Sequence, residues 1–351
     1  MTTTEIPTTM RRLVVAKPGV DVESCTIVVQ DNVPVPEPGP GQVLIRMTAA
    51  PINPSDYGTW IRANATETDP LPMGNEGCGI VVKTGSGSWI GGWTCPSVGT
   101  LVGVVGLSKD QGTYSEYVIA TGTTQVFPLP KEVGETDGCS FFVNPYTAVG
   151  IFDTAVSQAG AKAMIHTAAA SQLGQMMVRL SKTDTSVKLI NVVRREEQAE
   201  VLRKLGAEHV VVSSTDTWKE ELKAKVKDLG ATVAFDAVAG STTGDLLEVL
   251  PSNGTVYVYG GLAGKVENID PMDLIYRKKQ VRGFLLTSWI KAGGTVATLP
   301  RMMSASRKVN SGLKDGWSST QFKDTTLEKA QDDIVALLKS KATGQKLRIV
   351  F

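Results

Sequence analysis

The chain has 351 residues, with 36 Lys and Arg against 35 Asp and Glu and a formal net charge of +1; no basic excess exists to hold a phosphate polymer, which excludes a dedicated nucleic-acid binder. Hydrophobic content is 42% and charged content 20%, ordinary values for a globular chain, and no stretch approaches the roughly 18 consecutive apolar residues of a membrane span. With two histidines, His166 and His209, and four scattered cysteines, Cys25, Cys78, Cys95 and Cys139, neither a structural nor a catalytic zinc site can be assembled.

Such cysteines read as small buried hydrophobes in a reducing compartment. Residues Met1 to Thr9 carry Glu5 and no arginine, so they make neither a secretory signal nor a good transit peptide. A cytoplasmic protein with a frayed start is expected.

The length suits two domains at roughly 150 residues each. In chain order, the first third predicts short strands at Arg12 to Ala16, Thr26 to Val29, Gln42 to Ala49, Gly79 to Thr84, Leu101 to Val105 and Ser115 to Ala120, punctuated by Pro and Gly. This pattern fits an antiparallel, partly closed β domain.

From about Asn144 apolar strand runs alternate with helical stretches. Strands are predicted at Ala163 to Thr167, Val187 to Val193, His209 to Val212, Ala231 to Phe235, Thr255 to Tyr259 and Val281 to Leu286. Helices are predicted at Leu173 to Ser181, Glu196 to Leu205, Trp218 to Val226 and Thr242 to Leu250. Alternation with short connections is the signature of a doubly wound parallel sheet, making the chain α/β. An irregular return through Ser311, Gly312 and Gly316 then leads to a helix at Leu327 to Ser340 and a last strand at Lys346 to Phe351.

Chemistry concentrates at the turn after the first strand of the parallel sheet, Ala168-Ala-Ala-Ser-Gln-Leu-Gly174. There small residues and backbone N–H groups can approach a pyrophosphate at a helix N-terminus. The G-x-G-x-x-G spacing survives as Ala169-x-Ser171-x-x-Gly174, with only its last glycine kept. After the second strand, Asn191-Val-Val-Arg-Arg195 offers two cations where an NAD-selective site places an acid. Arg194 and Arg195 suit a 2′-phosphate; alternatively they open the next helix in solvent and pair with Glu196 and Glu197. His166 and His209 read as structural residues of their strands, and Trp60 and Trp289 as lining an apolar cleft or filling a core.

These segments carry a resemblance, together with Pro36-Glu-Pro-Gly-Pro-Gly-Gln-Val-Leu-Ile45, Ala50-Pro-Ile-Asn-Pro-Ser-Asp56, Gly74-Asn-Glu-Gly77, Gly112-Thr-Tyr-Ser-Glu-Tyr117, Val143-Asn-Pro-Tyr-Thr-Ala148 and Tyr259-Gly-Gly261. The chain resembles, over nearly its whole length, the zinc-independent medium-chain dehydrogenases/reductases, in the branch of quinone oxidoreductases and 2-enoyl thioester reductases. The resemblance implies a GroES-like β-rich catalytic domain of residues 1–142 and 290–351 and a Rossmann NADP-binding domain of residues 143–289. Zinc-dependent relatives keep a cysteine ligand near the position of Asn53 and a histidine ligand at Asn75, so no metal is expected.

The implied cofactor is NADP(H). Asn144 matches the asparagine beside the nicotinamide, and Ala170, Ser171, Gln172, Leu173 and Gly174 match the pyrophosphate turn. Arg194 and Arg195 match the 2′-phosphate binders, and Tyr259, Gly260 and Gly261 the loop along the cofactor. Phe284, Leu285 and Leu286 match a strand whose backbone meets the nicotinamide amide, and Lys346 a cofactor-contacting lysine.

The implied activity is NADPH-dependent reduction of the C=C bond of a small α,β-unsaturated carbonyl substrate, an enoyl thioester, enone or quinone. One-electron quinone reduction and a crystallin-like NADPH-binding role are the alternatives. The family's catalytic tyrosine, about eight residues after Asp56, is missing. Tyr57 is the candidate proton donor at a cleft between the domains, with Asn53 behind it. A homodimer is expected, its outer strands near Thr255 to Tyr259 and Val281 to Leu286 pairing across a two-fold axis.

Overall fold

The computed structural model describes residues 5–86, 89–90, 93–122, 124–340 and 344–351. Of the start expected to fray, residues 1–4 lie outside the described ones, and a strand begins at Thr9. The chain divides into two units: unit 1 is Met1–Val143 with Ser319–Phe351, and unit 2 is Asn144–Ser318.

Unit 1 is β-rich. Strand Thr9–Lys17 pairs with Thr26–Pro34 on one side and Leu71–Pro72 on the other, both antiparallel. A second sheet runs in the order Val126–Pro128, Leu101–Val105, Glu76–Thr84, Gln42–Pro51, Lys346–Val350 and Phe322–Thr325, with Tyr117–Thr121 also on Gln42–Pro51. Strand Gln42–Pro51 is buried along nearly all its length, as its apolar run Val43-Leu-Ile45 requires of a central strand. Leu13, Val15, Trp60, Met73, Tyr114, Leu347 and Ile349 form one core of the unit, and Val43, Ile45, Val81, Val102 and Val118 belong to another.

Unit 2 holds a six-stranded parallel sheet in the order His209–Val212, Lys188–Val193, Ala163–His166, Ala231–Asp236, Thr255–Val258 and Gln280–Gly283. Numbered along the sheet this is 3-2-1-4-5-6, the dinucleotide-binding arrangement, in which ligands bind outside the carboxyl ends of the strands. Strand Ala163–His166, at the point where the order reverses, is buried at every residue. Helix Gln172–Ser181 follows because Leu173, Met176, Met177 and Leu180 recur at helical spacing and all are buried.

Three expectations are corrected. Strand Thr255–Val258 is flanked on both sides, so only Gln280–Gly283 and His209–Val212 are edges of this sheet. The strand expected through Leu286 stops at Gly283; Phe284 and Leu285 follow it, and Leu286 opens the helix Leu286–Lys291. The irregular return is instead a 22-residue helix, Gly294–Asp315, with Pro300 inside it. Its Gly, Pro, Thr and Ser content conceals it from propensity. Packing supplies what propensity lacks: Ala305 and Val309 are buried, Lys308 pairs with Asp184, and Trp317 lies against Gly312. Residues 290–318 accordingly group with unit 2, and the return to unit 1 comes at Ser319 rather than 290.

Candidate active site

In unit 1 the Asn-Pro-Ser-Asp segment becomes the start of helix Pro54–Ile61, with Asn53 at the cap and Pro54 at the first position, where its missing N–H is no loss. The Asp56 carboxylate reaches back to accept the Asn53 backbone N–H at 2.7 Å. It also accepts the Tyr114 hydroxyl at 2.8 Å and the Asn75 side-chain amide. Burial pushes Asp56 up to about 6 in spite of these donors.

The Asn53 amide Nδ2 donates to Glu76 Oε1 at 2.9 Å. Glu76, fully buried, accepts with its other oxygen the backbone N–H groups of Phe142 and Val143 at 3.0 and 2.9 Å. Asn53 Oδ1 remains buried without a partner among the described residues, a state that costs about 1–3 kcal/mol until a donor arrives. The side-chain nitrogens of both Asn53 and Asn75 are therefore held by carboxylates.

Tyr57 packs edge-on against Trp60, ring centroids 5.4 Å apart. Burial, then the neighbouring Asp56 charge, pushes its hydroxyl up to about 12, so it stays protonated at neutral pH. Among the described residues this hydroxyl makes no hydrogen bond to a protein group. Trp60 lies in the core against Tyr114 and also lines a cavity of about 240 Å3 with Thr59, Met73, Asn75, Leu107 and Lys109. Lys346 is buried, and its Nζ donates to Ser140 at 2.9 Å. Burial lowers its pKa, opposed by Glu76, Cys139 and Asp56. All four cysteines are free and buried.

In unit 2, Ser171 caps helix Gln172–Ser181, its hydroxyl accepting the Gly174 N–H at 3.2 Å. Gly174 is obligatory here: a Cβ would sit 2.1 Å from the Ala169 carbonyl oxygen, so helix and turn approach as closely as backbones can. Ala168 adopts φ of +49° and Ala239 +61°, a left-handed geometry uncommon for alanine.

Buried Asp236 braces both turns. It accepts the hydroxyls of Thr167 and Thr243, each at 2.7 Å, and the N–H groups of Val238 and Ala239 at 2.9 and 3.2 Å. Tyr259 is tied back by its hydroxyl to His166 Nε2 at 2.6 Å, the rings stacked. Burial drives His166 down to about 3, so the imidazole is neutral. Gly260 abuts Ala237, whose carbonyl oxygen would lie 2.7 Å from an added Cβ.

Arg194 is exposed and its guanidinium makes no ion pair among the described residues. Arg195 lies 3.8 Å from Glu197, a loose surface pair. Phe284 donates its backbone N–H to Val258 O at 2.9 Å, and Asn144 is the second residue of helix Val143–Asp153. Trp289 is a packing residue, its Nε1 bonded to Asp153 at 2.7 Å.

Asp56, Glu76, Tyr114 and Asp236 have no role in the sequence reading. The first three lie inside the quoted motifs, so their positions were marked; no local pattern signals that Asp56 bonds Asn75 and Tyr114, 19 and 58 residues away, or that Glu76 bonds Asn53 and the backbone of Phe142 and Val143, 23, 66 and 67 residues away.

The chain matches the family described as alcohol dehydrogenase GroES-like domain over residues 39–131, and that described as zinc-binding dehydrogenase over residues 173–304. It belongs to the medium-chain dehydrogenase/reductase family. An enoyl-[acyl-carrier-protein] reductase, mitochondrial, from Dictyostelium discoideum is 29% identical over 322 residues, covering 88% of this chain and 85% of that protein. A Mesorhizobium loti protein described as an NADPH:quinone reductase superposes with a TM-score of 0.83 at 28% identity over 99% of this chain and 100% of its own. The Escherichia coli quinone oxidoreductase complexed with NADPH gives 0.79 at 21% identity over 97% and 100%, a likeness of fold. Among the described residues no group of three His, Cys, Asp or Glu could hold a metal. Nor is any described helix long and apolar enough to cross a membrane.

Proposed function

We propose that the chain is an NADPH-dependent reductase of α,β-unsaturated carbonyl compounds, enoyl thioesters or enones and quinones, working without zinc. The observation that carries this is the glycine-tight turn at Ala169 to Gly174 in a chain with carboxylate-held amides at both family ligand positions. Relatives named as enoyl reductases and NADPH:quinone reductases support it.

Bound NADPH supplies the hydride. The N-terminus of helix Gln172–Ser181, with Ala170, Ser171, Gln172 and Leu173, receives the pyrophosphate. Arg194 and Arg195 take the 2′-phosphate through charge-assisted bonds. Tyr259, Gly260 and Gly261 lie along the cofactor, Asn144 and the backbone of Phe284 to Leu286 meet the nicotinamide, and Lys346 adds a cation. Tyr57, a neutral phenol whose hydroxyl makes no protein hydrogen bond among the described residues, hydrogen-bonds the substrate carbonyl or delivers the proton. A hydrogen bond from Tyr57 would stabilise the charge that reduction of the C=C bond places on that carbonyl, without a Lewis acid.

Following NADPH absorbance with crotonyl thioesters, cyclic enones and quinones tests the reading. Turnover with saturated product supports it, semiquinone products favour one-electron quinone reduction, and tight NADPH binding without turnover favours the crystallin-like role. A chain that does not bind NADPH overturns it.

A homodimer is part of the proposal. Strand Gln280–Gly283 is an edge of the parallel sheet, and Leu262, Ile275, Tyr276 and Leu285 nearby in sequence are each more than 60% exposed, a hydrophobic edge that pairing would cover. Sedimentation at micromolar concentration is expected to give a dimer; a monomer removes this part. A cytoplasmic location is proposed, with a mitochondrial one, the location in the name of the Dictyostelium discoideum relative, as the alternative.

A further inference from the structure

The buried carboxylate of Glu76 accepts at both ends. Oε2 takes the backbone N–H groups of Phe142 and Val143, and Oε1 takes Asn53 Nδ2 at 2.9 Å. With both Glu76 oxygens accepting N–H groups, the Asn53 amide fits one way round, nitrogen toward Glu76. The backbone of Asn53 is pinned as well, its N–H on Asp56. What is left over is Oδ1, on a residue 1% exposed, with no partner among the described residues. Buried acceptors are satisfied in the working state of a protein, and here the donor has to come from outside this network.

We propose that Glu76 is a positioning residue that locks Asn53 with its amide oxygen as the pole offered to a bound ligand, so that this point takes a hydrogen-bond donor, a hydroxyl or N–H, and rejects a carbonyl oxygen. The inference rests on the reductase reading and narrows it: Asn53 orients a donor on the nucleotide or the substrate, and the substrate carbonyl is left to Tyr57.

Glu76→Gln tests the lock. Its amide oxygen can keep the two backbone N–H bonds while its NH2 faces Asn53, which forces the Asn53 amide to turn its nitrogen outward. The expected result is a folded protein whose NADP+ dissociation constant rises at least tenfold if the donor belongs to the nucleotide, or whose KM for a crotonyl thioester rises as much if it belongs to the substrate. In an Asn53→Ala background the same change is expected to cost less than twofold. Wild-type constants in Glu76→Gln, or an undiminished penalty in the Asn53→Ala background, overturn the proposal.

A ligand-free measurement guards against a variant that fails to fold. Asn53→Asp sets a second carboxylate against Glu76 Oε1, and two carboxylates there share one proton. The melting temperature of this variant is expected to fall, relative to wild type, as pH rises from 6 to 9; Asp56, Tyr114, Cys139 and Lys346, the other ionisable groups around Glu76, are common to both proteins. A flat difference overturns the lock. A falling difference in a chain that does not bind NADP+ supports the lock while overturning the reductase reading beneath it.

Discussion

The two units assemble their candidate sites from different materials. Unit 2 uses backbone and small residues: a helix N-terminus, a glycine against a carbonyl, alanines in left-handed turns, with Asp236 bracing from below. Unit 1 uses long-range side-chain bonds, Asp56 to Asn75 and Tyr114, Glu76 to Asn53 and the backbone at residues 142–143. A phosphate-bearing cofactor asks for N–H groups and room, which many side chains can permit but few supply. Proton placement asks for particular atoms held at particular angles. The contrast teaches that unit 2 is sensitive to added volume, whereas unit 1 is sensitive to isosteric changes that add none.

The largest effect is expected where unit 2 is tightest. In Gly174→Val the new side chain meets the Ala169 carbonyl, and loss of cofactor binding with a steep fall in melting temperature should follow, well beyond the ~1–3 kcal/mol of ordinary overpacking. A variant that binds NADPH normally would break the comparison. Next comes Tyr57→Phe in unit 1, a change of one oxygen. It should lower kcat on the order of 10²–10⁴-fold with NADPH affinity nearly unchanged; a loss of only a few-fold, mostly in KM, hands the proton to water. Because this hydroxyl is pushed up to about 12, wild-type kcat should not decline between pH 7 and 10 through its ionisation, whereas a limb near 10 would mark an ordinary exposed phenol.

Smaller again is the joint change Arg194→Ala with Arg195→Ala. It should narrow the preference for NADPH over NADH by about 1.5–3 kcal/mol per lost charge-assisted bond, less the desolvation that binding imposes on these groups. Equal wild-type affinities, measured by fluorescence titration, exclude a 2′-phosphate site. The smallest expected effect is none: chelators should leave activity unchanged and metal analysis should find no stoichiometric zinc, and one zinc per chain would return Asn53 and Asn75 to question.

The same contrast explains what was legible beforehand. The parallel sheet was, because each of its strands is a short apolar run followed by a helix with its own stripe, as at Leu173, Met176, Met177 and Leu180. Gly174 was legible too, since its meaning lies in its position along a strand–turn–helix unit. Helix Gly294–Asp315 was not, being built on Pro300 and on residues that packing rather than propensity makes helical. The bond from Glu76 to Asn53 spans 23 positions, and that from Tyr114 to Asp56 spans 58; a single sequence shows the partners and not the pairing. His166 was legible as structural and turned out to tether Tyr259, a contact 93 residues apart that no periodicity marks.

Strand Lys346–Val350 lies between Gln42–Pro51 and the edge strand Phe322–Thr325 in the larger sheet of unit 1. During synthesis, which runs from the N-terminus, residues 1–143 therefore emerge long before the strand that completes their sheet. Unit 2 is one continuous stretch and can close while the ribosome is still adding residues after 318. The nascent chain thus carries an unsatisfied edge at Ala49–Pro51 for the whole time that unit 2 is being made, and in that interval a chaperone has most to protect.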